Sequence, residues 1–377
     1  MNMNQDIFKV SVVIAHYNAG DYIKKALDSL DRQTMPQSDF EVIIVDDRST
    51  QPLDAILAYQ DKLKHLKIIK ESQNHGYPSI PRNHGINEAR GTFVMLMDQD
   101  DNLADNTLER FVSFAGDDSD VIIGKYAQGP NFNGTQIPFE AKQNIKDASM
   151  LTDHILSTLA PHKMYRRAML NNYDVRFYDS DDIPVEEDQV FNMKAYSVSR
   201  KISILADQDY YFWNQRDDLG NLGKSATYTY NEPWKYLNIL SAVLDIIEAS
   251  PVWQSHEKSV LKAMYIGRLF YSYGTLLAIL KIQKGADQRE QIITGLREII
   301  AQHLLEQDIT YVCPQSQWLV LGVKHGLNYR ELQDLKKELV NTNLKEQQVN
   351  VLDGKMIRQI VIKGKSYSVP VDFTIKT

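Results

Sequence analysis

At 377 residues, with 43% hydrophobic and 24% charged positions, 18 Gly and 12 Pro, the chain is too long for one ordinary core and too apolar to be collagenous, low-complexity or mainly disordered. A net charge of −7, from 42 basic and 49 acidic residues, gives no whole-chain attraction to nucleic acid or anionic lipid. The single cysteine, Cys313, excludes an intramolecular disulfide and a paired-thiol zinc site, and it favours a reducing compartment.

The first residues, MNMNQDIFKVSVVIAHYN, have no basic n-region and read as the approach to a first strand rather than a signal peptide. Apolar runs then alternate with helical patterns. The runs are Val10–Ala15, Phe40–Asp46, Leu66–Lys70, Thr92–Asp98 and Asp120–Lys125, and Tyr22, Ile23, Ala26, Leu27 and Leu30 recur at helical spacing between the first two. This is an α/β signature with a mainly parallel sheet and right-handed crossovers. Open parallel sheets bind ligands beyond the carboxyl ends of their strands, where Asp46, Asp47, Asp98, Asp100 and Asp101 fall.

From about Ala127 to Lys224 the pattern is irregular. It has turns at Gly129-Pro130 and Asn133-Gly134, an acidic run Asp179–Asp188, an amphipathic helical VFNMKAYSV and a strand-like KISILA, and it is read as the acceptor half of the same domain. Beyond Pro233 the chain turns helical, with a stripe of Leu237, Leu240, Leu244 and Ile247 and further helices expected over Lys258–Lys284, Arg289–Leu305 and Tyr329–Asn343. The densest apolar run, Leu276–Leu280, falls far short of the ~20 residues that span a bilayer. Turns at Asp353-Gly354 and Lys363-Gly364-Lys365 separate strand-like runs and predict hairpins. The expected domains are therefore 1–230, an α/β unit; 231–345, helical; and 346–377, a short β segment read as the opening of a further domain cut short.

Four local patterns carry chemistry, each with a plainer alternative. In MLMDQDDN an apolar strand delivers Asp98, Asp100 and Asp101 into a loop, where carboxylates suit a hard divalent cation bridging a pyrophosphate or simply cap the next helix. In IIVDDRST, Asp46 and Asp47 can accept from a ribose hydroxyl or a uracil N–H, while Ser49 and Thr50 can cap a helix. In NHGYPSIPRNHGIN, Arg82 starts a helix and can contact a diphosphate or pair with a neighbouring carboxylate. In VEEDQVF, Glu186, Glu187 and Asp188 run into a helix, as a general base near a crevice or as a solvated cap. His16, His75, His84 and His162 match neither a zinc motif nor a catalytic triad and are read as packing or surface residues.

Taken in this order, VSVVIAHYN, IIVDDRST, the Asn74–Asn87 turn, MLMDQDD and EDQVFNMKAY resemble a family 2 glycosyltransferase of the GT-A fold. PSIPRN, LAPHKMYRRAML and EEDQVFNMKAY are most similar to bacterial wall teichoic acid transferases that add N-acetylglucosamine to poly(ribitol phosphate). The resemblance covers roughly residues 8–230. It implies that Ala15, Tyr17, Asp46, Asp47, Asn74 and Arg82 border the nucleotide-sugar, and that Asp98-Gln99-Asp100 is the D-x-D motif. On that alignment Asp100 coordinates manganese or magnesium and Asp98 lies nearer the sugar or ribose. Asp188 is the catalytic base beside Glu187, and Arg216 is the basic contact to the diphosphate. The stretch DLGNLGKSATY lacks the histidine that some relatives place near the metal, leaving that role to Lys224, Ser225 or water.

The resemblance further implies a UDP-sugar donor, a polyanionic teichoic acid acceptor, inversion by single displacement, and no nucleic-acid partner. It also implies a homo-oligomer such as a trimer built through the helices, whose apolar stripes fit an intramolecular bundle equally well; a cytoplasmic protein is expected, with any contact to the inner membrane face peripheral. Lys163, Arg166, Arg167, Arg200 and Lys201 are the expected basic surface for the acceptor, or else ordinary solvated surface. Glucose or galactose transfer to another surface glycan, a nucleotidyltransferase, and a non-catalytic binding module remain open alternatives.

Overall fold

The computed structural model describes residues 8–127, 137–178, 186–214, 216, 235–270, 285–341, 350–352, 355–362 and 364–370. The chain divides into two compact units, Met1–Ser149 with Ser157–Ser225, and Met150–Leu156 with Ala226–Thr377.

In the first unit the elements run in the order β1 (Phe8–His16), α1 (Ile23–Asp31), β2 (Phe40–Asp46), α2 (Asp54–Leu57), β3 (Leu66–Lys70), α3 (Ser79–Glu88) and β4 (Gly91–Asp98). They continue with β5 (Asn102–Leu103), α4 (Thr107–Ala115), β6 (Val121–Gly124), β7 (Tyr126–Ala127), β8 (Met164–Arg166), α5 (Arg167–Asn172), α6 (Glu187–Val198), β9 (Ile202–Leu205) and β10 (Tyr211–Phe212). Seven strands form one sheet in the order β3-β2-β1-β4-β8-β6-β9. Strands β1 to β4 pair in parallel, as do β6 and β9, whereas the short β8 runs antiparallel to both β4 and β6. Every residue of β2 is buried, as expected of a parallel strand covered on both faces.

Helix packing against this sheet is close. A Cβ at Gly85 of α3 would stand 2.3 Å from Val13 Cγ1 of β1, so only glycine lets the helix lie at this distance. The register sets Ala15 between Val45 and Asp98, and His16 beside Asp46. The carboxyl ends of β1, β2 and β4 thus align in one row. A second, three-stranded sheet, β5-β10-β7, lies beyond the end of β4.

Three expectations are corrected here. Helix α3 begins at Ser79, not at Arg82. Ser49 and Thr50 do not cap a helix: Ser49 Oγ accepts the N–H of Asn18, and the Asn18 side chain bonds Thr50 and Gln51. Helix α6 is not amphipathic, being buried over nearly its whole length from Gln189 to Val198.

The second unit contains helices over Lys235–Ala249, Ser255–Arg268, Ala286–His303, Pro314–Lys324 and Tyr329–Asn341. Leu240, Leu244 and Ile247 of the first are fully buried. The Pro314–Lys324 helix was not foreseen, because QWLVLGV is apolar without a 3.6-residue period, and its Trp318 is completely buried. Strands Asn350–Leu352, Lys355–Ile362 and Lys365–Pro370 pair antiparallel in sequence, as the hairpin signals predict. Leu276–Leu280, Asp353-Gly354, Lys224, Ser225 and most of the acidic run before Glu186 lie outside the described residues. No described helix is long and apolar enough to cross a membrane.

Candidate active site

The carboxyl end of β2 carries a closed acceptor–donor set. Asp47 accepts the backbone N–H of His75 at 3.0 Å, that of Gly76 at 3.2 Å, and the Asn74 amide at 3.0 Å, while Asn74 also bonds the Asp47 carbonyl at 2.8 Å. Burial pushes the Asp47 carboxyl pKa up, against those two backbone N–H groups. Asp46 turns the other way and receives the N–H of Ser49 at 3.3 Å.

The end of β1 is tied to the end of β4. Gln99 Oε1 accepts the N–H of Tyr17 at 2.9 Å and its amide donates to the Tyr17 carbonyl at 3.3 Å. His16 is buried, which lowers its imidazole pKa to about 4, and its Nδ1 has no hydrogen-bond partner among the described residues. Arg216 lies over the Tyr22 ring at 4.7 Å, with Nη2 3.4 Å from the Asn18 carbonyl.

The centre of the site is Asp98. Its Oδ1 accepts from Arg82 Nη2 at 2.8 Å and its Oδ2 is bonded to His162 Nε2 at 2.7 Å. Arg82 Nη1 continues to Glu187 Oε1 at 3.1 Å. One guanidinium therefore brings together the D-x-D strand end and the E-D-Q helix start, which are distant in sequence. Although burial opposes it, His162 and Arg82 together hold the Asp98 carboxyl well below the usual carboxylate range.

Glu187 and Asp188 open α6 after Glu186, which adopts a left-handed φ of 57°. That backbone conformation is uncommon outside glycine and marks a constrained entry to the helix. Gln189 donates to the Glu186 carboxylate, and Asn192 donates to the Asp188 carbonyl at 2.8 Å. Burial, followed by the charges of Glu187 and Glu186, pushes the Asp188 carboxyl well above its ordinary value. A carboxylate made more basic in this way is suited to accept a proton.

His162 corrects the reading of that residue as packing or surface. It stacks on Tyr211 at 4.5 Å, meets Trp213 edge-on at 5.2 Å, and accepts Trp213 Nε1–H at Nδ1 over 2.7 Å. Asp101, grouped in the sequence with Asp98 and Asp100 but given no role of its own, also belongs here. It is buried, accepts the Tyr211 hydroxyl at 2.7 Å and the N–H of Asn214 at 2.9 Å, and burial together with the Asp98 charge raises its pKa to about 8. Asp98, Asp101 and His162 bring ligand atoms within 4.8 Å of one another, a grouping that could hold a metal ion. Carboxylate oxygens suit manganese or magnesium. Asp100 is half-exposed one residue before Asp101 and is not part of that group.

The expected basic surface is largely engaged inside the domain. Arg166 and Arg200 both pair with buried Asp120. Lys201 pairs with Asp118, and Arg167 donates to the Gly91 carbonyl. Lys163 is buried against the Ala160 carbonyl, and burial, only partly opposed by Asp188, lowers its pKa to about 7. Two carboxylates, Asp120 and Asp118, thus serve three of these cations, and Arg200 keeps its side chain 62% exposed.

Comparison with known proteins agrees with this fold. Residues 11–174 match the family model described as glycosyl transferase family 2. Over 338 residues, 87% of the chain and 51% of the relative, there is 32% identity to the poly(ribitol-phosphate) beta-glucosyltransferase of Bacillus spizizenii. Over 297 residues, 78% of the chain and 49% of the relative, there is 32% identity to the poly(ribitol-phosphate) beta-N-acetylglucosaminyltransferase TarS of Staphylococcus aureus. The chain thus spans about half the length of these curated relatives. Among solved structures, residues 1-349 of S. aureus TarS in complex with UDP-GlcNAc align with a TM-score of 0.80 and 27% identity, covering 97% of this chain and 100% of that one.

Proposed function

We propose, from the premise that this chain belongs to glycosyl transferase family 2, that it moves a sugar from a UDP-sugar to a hydroxyl of poly(ribitol phosphate) wall teichoic acid with inversion at the anomeric carbon. The observation that carries the reading is the Asp98–Arg82–Glu187 bridge, which sets a donor-side carboxylate beside the helix that begins with Asp188. Ala15, Tyr17, Asp46, Asp47, Asn74 and Gln99 form the nucleotide side, Asp98 faces the ribose or sugar, and Arg216 neutralises charge on the diphosphate. Asp188 takes the proton of the acceptor hydroxyl. The acceptor oxygen then bonds to the anomeric carbon in line as the bond to the diphosphate oxygen breaks, and the electron pair leaves with UDP.

When bound, manganese or magnesium would neutralise diphosphate charge, with Asp100 as the residue proposed to hold it. N-acetylglucosamine is the sugar proposed, as for TarS. Glucose is the second reading, favoured by the likeness to a relative named as a glucosyltransferase over 87% of this chain. In this reading the domains are 1–230, 231–345 and 346–377, the helical region supports a homo-oligomer such as a trimer, and the protein works at the cytoplasmic membrane face.

The test is manganese-dependent UDP release from a panel of UDP-sugars, with and without poly(ribitol phosphate), using Asp188→Asn as the blank. Release stimulated by the polymer with one sugar, and lost in the variant, is expected. Slow donor hydrolysis without polymer stimulation would overturn the acceptor and leave the donor site standing.

A further inference from the structure

Both nitrogens of His162 are engaged, and the chemistry of the two partners decides where its proton sits. Trp213 Nε1–H can only donate, and it lies 2.7 Å from Nδ1. Nδ1 must therefore present a lone pair. An imidazole with an unprotonated Nδ1 is neutral and keeps its proton on Nε2, which is 2.7 Å from Asp98 Oδ2. An imidazolium would set two N–H groups against each other at the Trp213 contact.

The ring also has little freedom to turn. It stacks on Tyr211 and meets Trp213 edge-on. The Tyr211 hydroxyl meanwhile accepts the N–H of Asp98 at 3.0 Å and donates to Asp101 at 2.7 Å. Asp98 has its other oxygen on Arg82.

We propose that His162 is a positioning residue of the donor site: fixed by Trp213 as the Nε2–H tautomer, it donates to Asp98, aims that carboxylate together with Arg82, and does not itself ligate a metal ion. What Asp98 is aimed at rests on the glycosyltransferase reading above. Of the grouping Asp98, Asp101 and His162, the imidazole offers a cation no free lone pair, so coordination falls to carboxylates. Trp213 and its neighbour Asn214, which donates to Asp101, make the segment after β10 a support for both acids at once.

The tautomer can be read directly in long-range proton–nitrogen spectra of the full chain, with His162 identified among the nine histidines by the signals missing in His162→Gln. An unprotonated Nδ1 and a protonated Nε2, unchanged on adding magnesium, is the expected result. A protonated Nδ1, or an Nε2 that loses its proton to magnesium, would overturn the proposal. Trp213→Phe keeps the ring contact and removes the donor, so a mixture of tautomers is expected there; an unchanged tautomer would refute the lock.

In turnover, His162→Phe should lose on the order of tenfold to a hundredfold in kcat/KM for the UDP-sugar, and His162→Gln, which restores an N–H donor, should recover to within about threefold of the parent. Equal activity of the Phe variant and the parent would count against a positioning role. Because the tautomer is read without turnover, a chain inactive on every UDP-sugar would refute the transferase reading and leave this result intact.

Discussion

Arg82 reaches Asp98 with Nη2 at 2.8 Å while its Nη1 holds Glu187 at 3.1 Å, and its side chain is only 8% exposed. Breaking such a pair leaves carboxylates desolvated without a partner, at about 3–5 kcal/mol when both groups are deeply buried. Asp98 is 35% exposed, which places Arg82→Ala at the lower end, about 3 kcal/mol in urea unfolding. Turnover should fall by roughly a hundredfold, because both ends of the site lose their alignment. Arg82→Lys retains the charge but not the fork that serves two carboxylates, and should fall between the two. A lysine variant as stable and as active as the parent would show that the bridge does not matter.

Asp188 links activity and stability with opposite signs. Burial raises its carboxyl pKa in the folded chain above the unfolded value of 3.8. Folding then gains stability from the protonated group below the unfolded pKa, and loses it as pH rises through the folded pKa. At neutral pH the ionised carboxylate is destabilising, whereas the proposed role as base requires it. Asp188→Asn should therefore raise the Tm at pH 7 by a few degrees, about 2–4 °C per kcal/mol for a domain of this size, while abolishing UDP release. In the parent, the acidic limb of kcat/KM should lie above the ordinary carboxylate range of about 4. A thermal scan at pH 7 in which the variant melts below the parent would refute this sign.

Much of the strand-end cluster proposed to meet the nucleotide was legible in the sequence because its residues lie at the ends of apolar runs. Parallel pairing alone aligns Ala15, Asp46 and Asp98 once those runs are recognised as strands. His162 and Trp213 were not legible: their partners come from β4 and the segment after β10, 64 and 51 residues away in the chain, and no local period announces such a meeting. The pairing of the basic residues from Lys163 to Lys201 was hidden for the same reason, since charge is visible in sequence but Asp120, which bonds both Arg166 and Arg200, meets them only in the folded sheet. Burial of α6 was hidden by its polar residues, among them Asn192, whose amide is satisfied by the Leu159 and Asp188 carbonyls.

Asp47 organises the turn that follows β3. Three donors, from Asn74, His75 and Gly76, converge on its carboxylate. Asp47→Ala leaves them without an acceptor and should cost about 2 kcal/mol, the scale of a hydrogen bond to a charged group. UDP affinity, measured by calorimetric titration, should weaken by about tenfold or more, equivalent to about 1.4 kcal/mol. Asp47→Asn, which keeps one acceptor oxygen, should retain more stability than the alanine variant. Unchanged UDP binding in both would remove Asp47 from the nucleotide side and leave it a purely structural cap.

Asp120 separates structural charge from functional charge. Its Oδ1 accepts from Arg166 at 3.1 Å and Arg200 at 2.8 Å, and its Oδ2 accepts the backbone N–H of Arg200 at 2.8 Å, all with the carboxylate 3% exposed. Asp120→Asn removes the one negative charge that both guanidinium groups share and should lower stability by about 3 kcal/mol. UDP affinity should stay at the parent value, because none of these groups contacts the ends of β1, β2 or β4. Arg200→Gln discriminates further. If Arg200 belongs to this internal pairing, the stimulation of UDP release by poly(ribitol phosphate), and its decline with added salt, should match the parent. A shallower salt dependence in that variant would return Arg200 to the acceptor surface, since each lost contact to a polyanion reduces the number of counterions released on binding.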